Sequence, residues 1–213
     1  MRPACVLFDL DGTLIDHFKA IHRCHTHAMT RLGLPAPTMA QVRAAVGGGL
    51  DEAIARLAGR NRVPAIMPIY KEHWDATHLD DVVLLPGARE ILTGLGRAGA
   101  VSAVLTNKRG YAAREVCDHL GLTPLLRGVH GVGDTPWLKP EPRWTHQVLA
   151  QLGAPAANSL YVGDSPFDIQ TARQAGLAFM GVTTGTHTAE ELRAAGAERV
   201  FADLIEVART LGL

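Results

Sequence analysis

The sequence predicts an α/β protein: a parallel β-sheet with helices on both faces, interrupted by a helical insertion. Two observations carry this reading. Short apolar runs of β type alternate with amphipathic helical stretches over most of the chain. Residues 16–82 break the alternation, reading as several helices with no convincing strand. The expected division is a core of residues 1–15 and 83–213, with a helical domain of residues 16–82 placed after the first strand.

Taken in order, the first apolar run is 4–8, ACVLF. The insertion follows, its helices joined by GLPAPT (33–38) and RNRVP (60–64). Thr38 is placed to cap a helix over 39–46, and LDEAIARLAG continues after Gly47, Gly48 and Gly49. Further strands are predicted at 101–105, 128–132, 159–163 and 178–182, with a weak last one at 199–201. Helices are predicted at 88–98, 110–120, 141–152, 166–175, 189–195 and 203–211. Gly99, Gly121, Gly153, Gly176 and Gly196 each stand where a helix should stop. In SPFD, Ser165 as N-cap, Pro166 at the first helical position and Asp168 as the acidic third residue read as a capping box.

The chain has 213 residues and is 47% apolar, enough for a substantial core. Its 21 basic and 21 acidic residues balance, so no global field favours nucleic acid or an anionic membrane. No apolar run approaches the length of a membrane span, and no signal-peptide pattern is present. Cys5, Cys24 and Cys117 are an odd number without metal-type spacing, which indicates a reducing compartment and hence a cytoplasmic protein.

In an open parallel sheet, ligands bind outside the carboxyl ends of the strands, so the polar residues after each apolar run are the candidates. Asp9 and Asp11 follow the first run, in VLFDLDGTLID; on a continued strand they would share one face. Two carboxylates that close call for a cation between them, and a hard one such as Mg²⁺ suits them. Thr106, Asn107 and Lys108 follow the 101–105 run, and Asp164 and Asp168 lie in GDSPFD after the 159–163 run. Lys139 lies in LKPEP, just before a predicted helix. Carboxylates to hold a metal, with lysine and neutral donors to hold oxyanions, together suit a phosphoryl group with Mg²⁺. Other phosphate or hydrolase chemistries lack their residues. A calcium loop starting at Asp9 would need glycine and glutamate where Leu14 and Ala20 stand, and no cysteine is followed by the arginine of a cysteine phosphatase. GDSPF lacks the second glycine of a serine-hydrolase elbow, and no Walker A sequence occurs.

These residues, in this order, resemble the haloacid-dehalogenase-type hydrolases, whose phosphatase branch carries DxDGT, then Ser or Thr at a strand end, then Lys, then GDxxxD. The resemblance spans the chain. VRAAVGGGLDEAI (42–54), LPGAREIL (85–92), LTNK (105–108) and VGDSPFDIQTARQAG (162–176) look most like the phosphoglycolate-phosphatase group. It implies a Rossmann-like core with residues 16–82 as its cap domain, in a monomer or homodimer. It also implies a Mg²⁺-dependent phosphatase acting on a small-molecule phosphate ester, with 2-phosphoglycolate the leading substrate and no nucleic acid or membrane partner.

By the same resemblance, Asp9 is the nucleophile that forms an aspartyl-phosphate, and Asp11 is the general acid and base. Thr106, Asn107 and Lys139 hold the phosphoryl oxygens. Mg²⁺ is held by Asp9, the backbone carbonyl of Asp11, and Asp164, with Asp168 beside it through Lys139 or a water. In the cap, Gly48 and its neighbours allow close approach to a ligand, although a flexible helix–helix turn explains them equally, and Arg43 can meet a substrate carboxylate, although a solvated helix position is the better reading of it. His17, His22, His25 and His27 do not place three rings on one helical face and read as ordinary cap residues. Dehalogenases of the superfamily lack an equivalent of Asp11, and no cap lysine (Lys19 or Lys71) has a context that suggests phosphonate hydrolysis. Two alternatives keep the same fold: a phosphomutase of the β-phosphoglucomutase type, and a non-catalytic binding protein.

Overall fold

The computed structural model describes residues 3–213. The elements run, in chain order, β1 (Cys5–Phe8), β2 (Ile15–Asp16), α1 (Phe18–Arg31), α2 (Met39–Ala45), α3 (Leu50–Ala58), α4 (Val63–Thr77) and β3 (Val83–Leu84). Then come α5 (Ala88–Arg97), β4 (Val101–Arg109), α6 (Gly110–His119), β5 (Val129–Val132), α7 (Pro142–Leu152) and β6 (Ser159–Gly163). The chain ends with α8 (Pro166–Ala175), β7 (Ala178–Val182), α9 (Ala189–Ala194), β8 (Val200–Phe201) and α10 (Leu204–Leu211). It divides into two compact units, one of residues up to Ile15 with Leu84–Leu213, the other Asp16–Val83.

The larger unit is built on a six-stranded sheet of order β5-β4-β1-β6-β7-β8. Every pairing in it is parallel. β1 is a run of four apolar residues, and all four are fully buried. Because side chains alternate across a strand, this burial requires cover on both sheet faces. On one face Cys5 and Leu7 pack with Ala103, Leu105 and Tyr161 against Trp144, Val148 and Leu149 of α7 and Ala172 and Ala175 of α8. From β1 the order grows one way through β4 and β5 and the other way through β6, β7 and β8, which makes the carboxyl end of β1 a topological switch point.

β4 runs on to Arg109, beyond the predicted 101–105, and its register against β5 shifts on the way. Leu105 pairs with His130 and Arg109 with Val132, so Thr106, Asn107 and Lys108 lie opposite the single residue Gly131. Such a bulge re-aims side chains at the end of a strand. Gly131 permits it: a Cβ there would sit 2.5 Å from Gly110 Cα and 2.6 Å from the Lys108 carbonyl oxygen.

The smaller unit is helical, with α1 packed on α4. The Thr38 hydroxyl accepts from Gln41 N while the Gln41 side chain accepts from Thr38 N, closing the start of α2. Arg23 ties α1 to the end of α4, donating to the Thr77 carbonyl at 2.6 Å and to the Asp81 carboxylate. Between its two ends the segment holds no strand, as the sequence predicts, but at those ends β2 and β3, which the sequence reading does not include, pair with each other as a two-stranded ribbon. Two-residue strands are too short to give a periodic signal.

Candidate active site

Asp9 is the first residue past β1. Its N–H still donates to the Val162 carbonyl of β6 at 3.0 Å, so the sheet ladder fixes its backbone although the strand ends at Phe8. The chain then turns sharply: Thr13, Leu14 and Ile15 all donate to the Leu10 carbonyl, and Asp11 makes an isolated bridge to Ile15. This corrects the expectation that Asp9 and Asp11 are set side by side on a strand. The turn hands each carboxylate a different lysine.

Asp9 Oδ1 lies 3.0 Å from Lys139 Nζ. The same ammonium donates to Asp168 Oδ1 at 2.7 Å and to the Tyr161 hydroxyl at 3.0 Å. Tyr161 in turn donates to the Leu105 carbonyl at 2.5 Å. Burial acts to lower the Lys139 pKa, but Asp168, Asp9 and Tyr161 more than reverse it, so the ammonium is held well above its ordinary value. The Lys139 backbone is clamped from β4: its N–H donates to Asn107 Oδ1 at 2.8 Å, and Asn107 Nδ2 donates to its carbonyl at 3.2 Å. Asn107, expected to touch phosphate, thus turns its side-chain amide to the Lys139 backbone. Thr106 is buried and hydrogen-bonds Asp9.

Asp11 faces Lys108, whose Nζ donates to both carboxylate oxygens at 3.0 and 3.1 Å. The bulge in β4 brings that lysine to the loop after β1. Sequence reasoning gave Lys108 no role of its own.

Asp164 follows β6 and is held by the threonine of the DxDGT stretch and by Thr186, which the sequence does not mark. Thr13 Oγ1 donates to its Oδ1 at 3.2 Å, while Thr186 donates to Oδ2 from both its N–H, at 2.8 Å, and its hydroxyl, at 2.9 Å. Gly185 closes over the same carboxylate, and a Cβ there would fall 1.9 Å from Asp164 Oδ2. Asp168 Oδ2 accepts from the Ser165 N–H and hydroxyl, so Asp168 helps to start α8 while its other oxygen holds Lys139.

One oxygen each from Asp9, Asp164 and Asp168 lie within 4.8 Å of one another, and all three residues are buried. With Lys139 as their shared cation, the ionised carboxylates keep two negative charges in excess, which an apolar interior does not tolerate unpaired. Burial first of all, with the neighbouring acids, pushes the Asp164 carboxyl up to about 8. Burial pushes Asp9 up to about 6 against the pull of Lys139. Asp9 Oδ1, though buried, accepts no hydrogen bond and has only the ion pair with Lys139. An all-oxygen donor set, an excess of two charges and an acceptor left open fit a hard divalent cation such as Mg²⁺. Both oxygens of Asp164 and of Asp168 already accept hydrogen bonds, so Asp9 Oδ1 is the open acceptor of the three, while Asp164, unlike Asp168, is held by neutral donors alone and has no lysine on it.

Within the helical unit, the Arg43 guanidinium lies 4.1 Å from the centroid of the Phe18 ring and 4.0 Å from Asp16 Oδ2. Gly48 lies between α2 and α3 and is half-buried. Histidines of this unit do packing work: His25 lies tilted against Tyr70 and His17 against Trp74, and His27 lies parallel to His73. Among the described residues, the three aspartates form the one such cluster of potential metal ligands. All three cysteines are buried free thiols, and among the described residues no helix is long and apolar enough to cross a membrane.

A family model described as haloacid dehalogenase-like hydrolase matches residues 6–182. The chain is 31% identical over 192 residues to a phosphoglycolate phosphatase of Pseudomonas syringae pv. syringae, covering 86% of this chain and 70% of that protein. It is 35% identical over 191 residues to a phosphoglycolate phosphatase of Rhodobacter capsulatus, covering 87% and 86% respectively. A hydrolase of the haloacid dehalogenase-like family from Streptococcus pneumoniae shares its fold, with a TM-score of 0.89 over 98% of each chain at 23% identity.

Proposed function

This chain belongs to the haloacid dehalogenase-like hydrolase family, and on that premise we propose that it is a Mg²⁺-dependent phosphomonoester hydrolase whose substrate is 2-phosphoglycolate. The observation that carries the reading is the grouping of Asp9, Lys139, Asp164 and Asp168 at the carboxyl ends of β1 and β6. The named activity of the two relatives supports the choice of substrate. Three buried free thiols are consistent with a cytoplasmic setting.

In the proposed reaction, an Asp9 carboxylate oxygen attacks phosphorus as the bond to the ester oxygen breaks, giving an aspartyl-phosphate. Asp11 donates a proton to the departing oxygen, then takes one from the water that attacks phosphorus. That second displacement releases inorganic phosphate and restores Asp9. Thr106 and Lys139 hold the phosphoryl oxygens, and Asp168 keeps Lys139 in place. Asn107 acts as a positioning residue through the Lys139 backbone. Asp9, Asp164 and the backbone carbonyl of Asp11 are the groups proposed to hold Mg²⁺. When bound, the ion supplies neutralisation of charge on the transferring group.

The test is phosphate release from a panel of phosphorylated metabolites, with Mg²⁺ and with a chelator. Mg²⁺-dependent release from 2-phosphoglycolate, with little from sugar phosphates, is the expected result. Slow release across the panel, with isomer formation from hexose phosphates, would replace it by the phosphomutase reading. No release from any ester would contradict the enzymatic reading altogether.

A further inference from the structure

We propose that Lys108 recognises a carboxylate on the carbon next to the ester oxygen, and so selects 2-phosphoglycolate over phosphate esters with uncharged leaving groups; this rests on the phosphatase reading above. Two lysines reach the polar end of the sheet, and their surroundings differ. Lys139 lies between Asp9, Asp168 and the Tyr161 hydroxyl with 1% of its side chain exposed, so its ammonium is committed to the phosphoryl end of the site. Lys108 sits on the bulged end of β4, and its ammonium grips both oxygens of Asp11.

Asp11 is the group assigned to the departing oxygen. A cation 3.0 Å from that carboxylate therefore stands beside the leaving group and not beside the transferring phosphate. In 2-phosphoglycolate a single carbon separates the ester oxygen from the carboxylate. A group hydrogen-bonded to Asp11 is within reach of that carboxylate. Lysine suits the task, because its ammonium rotates three donors on a flexible stem. It can exchange one Asp11 oxygen for a ligand oxygen without leaving the pair, and the exchange turns the released Asp11 oxygen toward the ester oxygen. The pair is nearly closed to solvent, with 7% of Lys108 and 11% of Asp11 exposed. A ligand carboxylate entering there needs a charged partner to replace its water, and charge-assisted hydrogen bonds are the strong ones. A neutral leaving group gains nothing from this lysine.

The experiment compares kcat/KM for 2-phosphoglycolate and for 2-hydroxyethyl phosphate, which has the same length and no carboxylate. It uses the wild type, Lys108→Met and Lys108→Arg. The wild type is expected to prefer 2-phosphoglycolate. In Lys108→Met both activities fall, because Asp11 loses its partner, but that on 2-phosphoglycolate falls about ten- to a hundred-fold further. Lys108→Arg restores part of the preference. Equal losses on the two esters would assign Lys108 to holding Asp11 alone and overturn the proposal, as would a wild type with no preference, a result that needs no variant to fold. A wild type that hydrolyses neither ester contradicts the phosphatase reading itself and removes this inference with it.

Discussion

Lys139 Nζ lies 2.7 Å from Asp168 Oδ1, and neither side chain is open to solvent. The contact joins the loop before α7 to the first turn of α8, and its cation also faces Asp9. Asp168 therefore stabilises the site without needing to touch a ligand. Asp168→Ala leaves a buried ammonium short of one carboxylate and strips Ser165 of its acceptor. Breaking a buried pair in this way costs about 3–5 kcal/mol. Urea denaturation of the variant should show a loss of that size, and unchanged stability would contradict the anchoring role.

Gly185 lets the chain after β7 lie directly on Asp164. A methyl group at 1.9 Å from Asp164 Oδ2 cannot be accommodated in place, so Gly185→Ala must displace either the carboxylate or the Thr186 N–H that holds it. Disturbing such supporting contacts typically weakens metal affinity about 10- to 100-fold. Calorimetric titration with Mg²⁺ should show that loss while the circular dichroism spectrum is retained. Wild-type affinity in the variant would mean that Asp164 does not hold the ion.

The Asn107 amide clamp predicts a cost in stability. Asn107→Ala leaves both the N–H and the carbonyl of the buried Lys139 without their side-chain partners. Groups left unsatisfied in this way cost about 1–3 kcal/mol. A thermal or urea unfolding curve coincident with that of the wild type would show the clamp to be of no consequence.

Stability without divalent cations should depend on pH in an unusual direction. Burial holds the carboxyl of Asp9 at about 6 and that of Asp164 at about 8, both above the ordinary value of 3.8. Between these limits the folded state binds more protons than the unfolded state, so stability falls as pH rises through that span. Chelator-treated protein should therefore melt lower at pH 8 than at pH 5. Asp164→Asn should flatten the slope, and Mg²⁺ should raise the melting temperature more at pH 8 than at pH 5. A melting temperature that rises with pH in the chelated protein would contradict this picture of the buried acids.

Much of the site is legible in the sequence because Asp9, Thr106 and Asp164 directly follow apolar runs, and strand ends in parallel sheets carry ligands. Lys139 and Asp168 are legible through their place in a recurrent order of motifs. The Asp11–Lys108 pair is not, because it depends on the turn after Asp9 and on the bulge opposite Gly131, and neither leaves a trace in hydrophobic periodicity. Thr186 and Gly185 are hidden for a related reason: in TTGTHT they look like ordinary loop residues, and only the fold brings them to Asp164. The sequence groups Asn107 with its neighbours as a phosphate contact, because sequence order does not say which way a side chain at a bulge turns.

The central claim is that Asp9 forms a covalent phosphoryl intermediate. Its most direct test is the stereochemical course at phosphorus, using the thiophosphoryl analogue of 2-phosphoglycolate made chiral with sulfur and two oxygen isotopes and hydrolysed in water of the third, so that the thiophosphate released is itself chiral. Two successive in-line displacements, first by Asp9 and then by water, predict retention of configuration. Inversion would mean a single attack by water and would contradict the account.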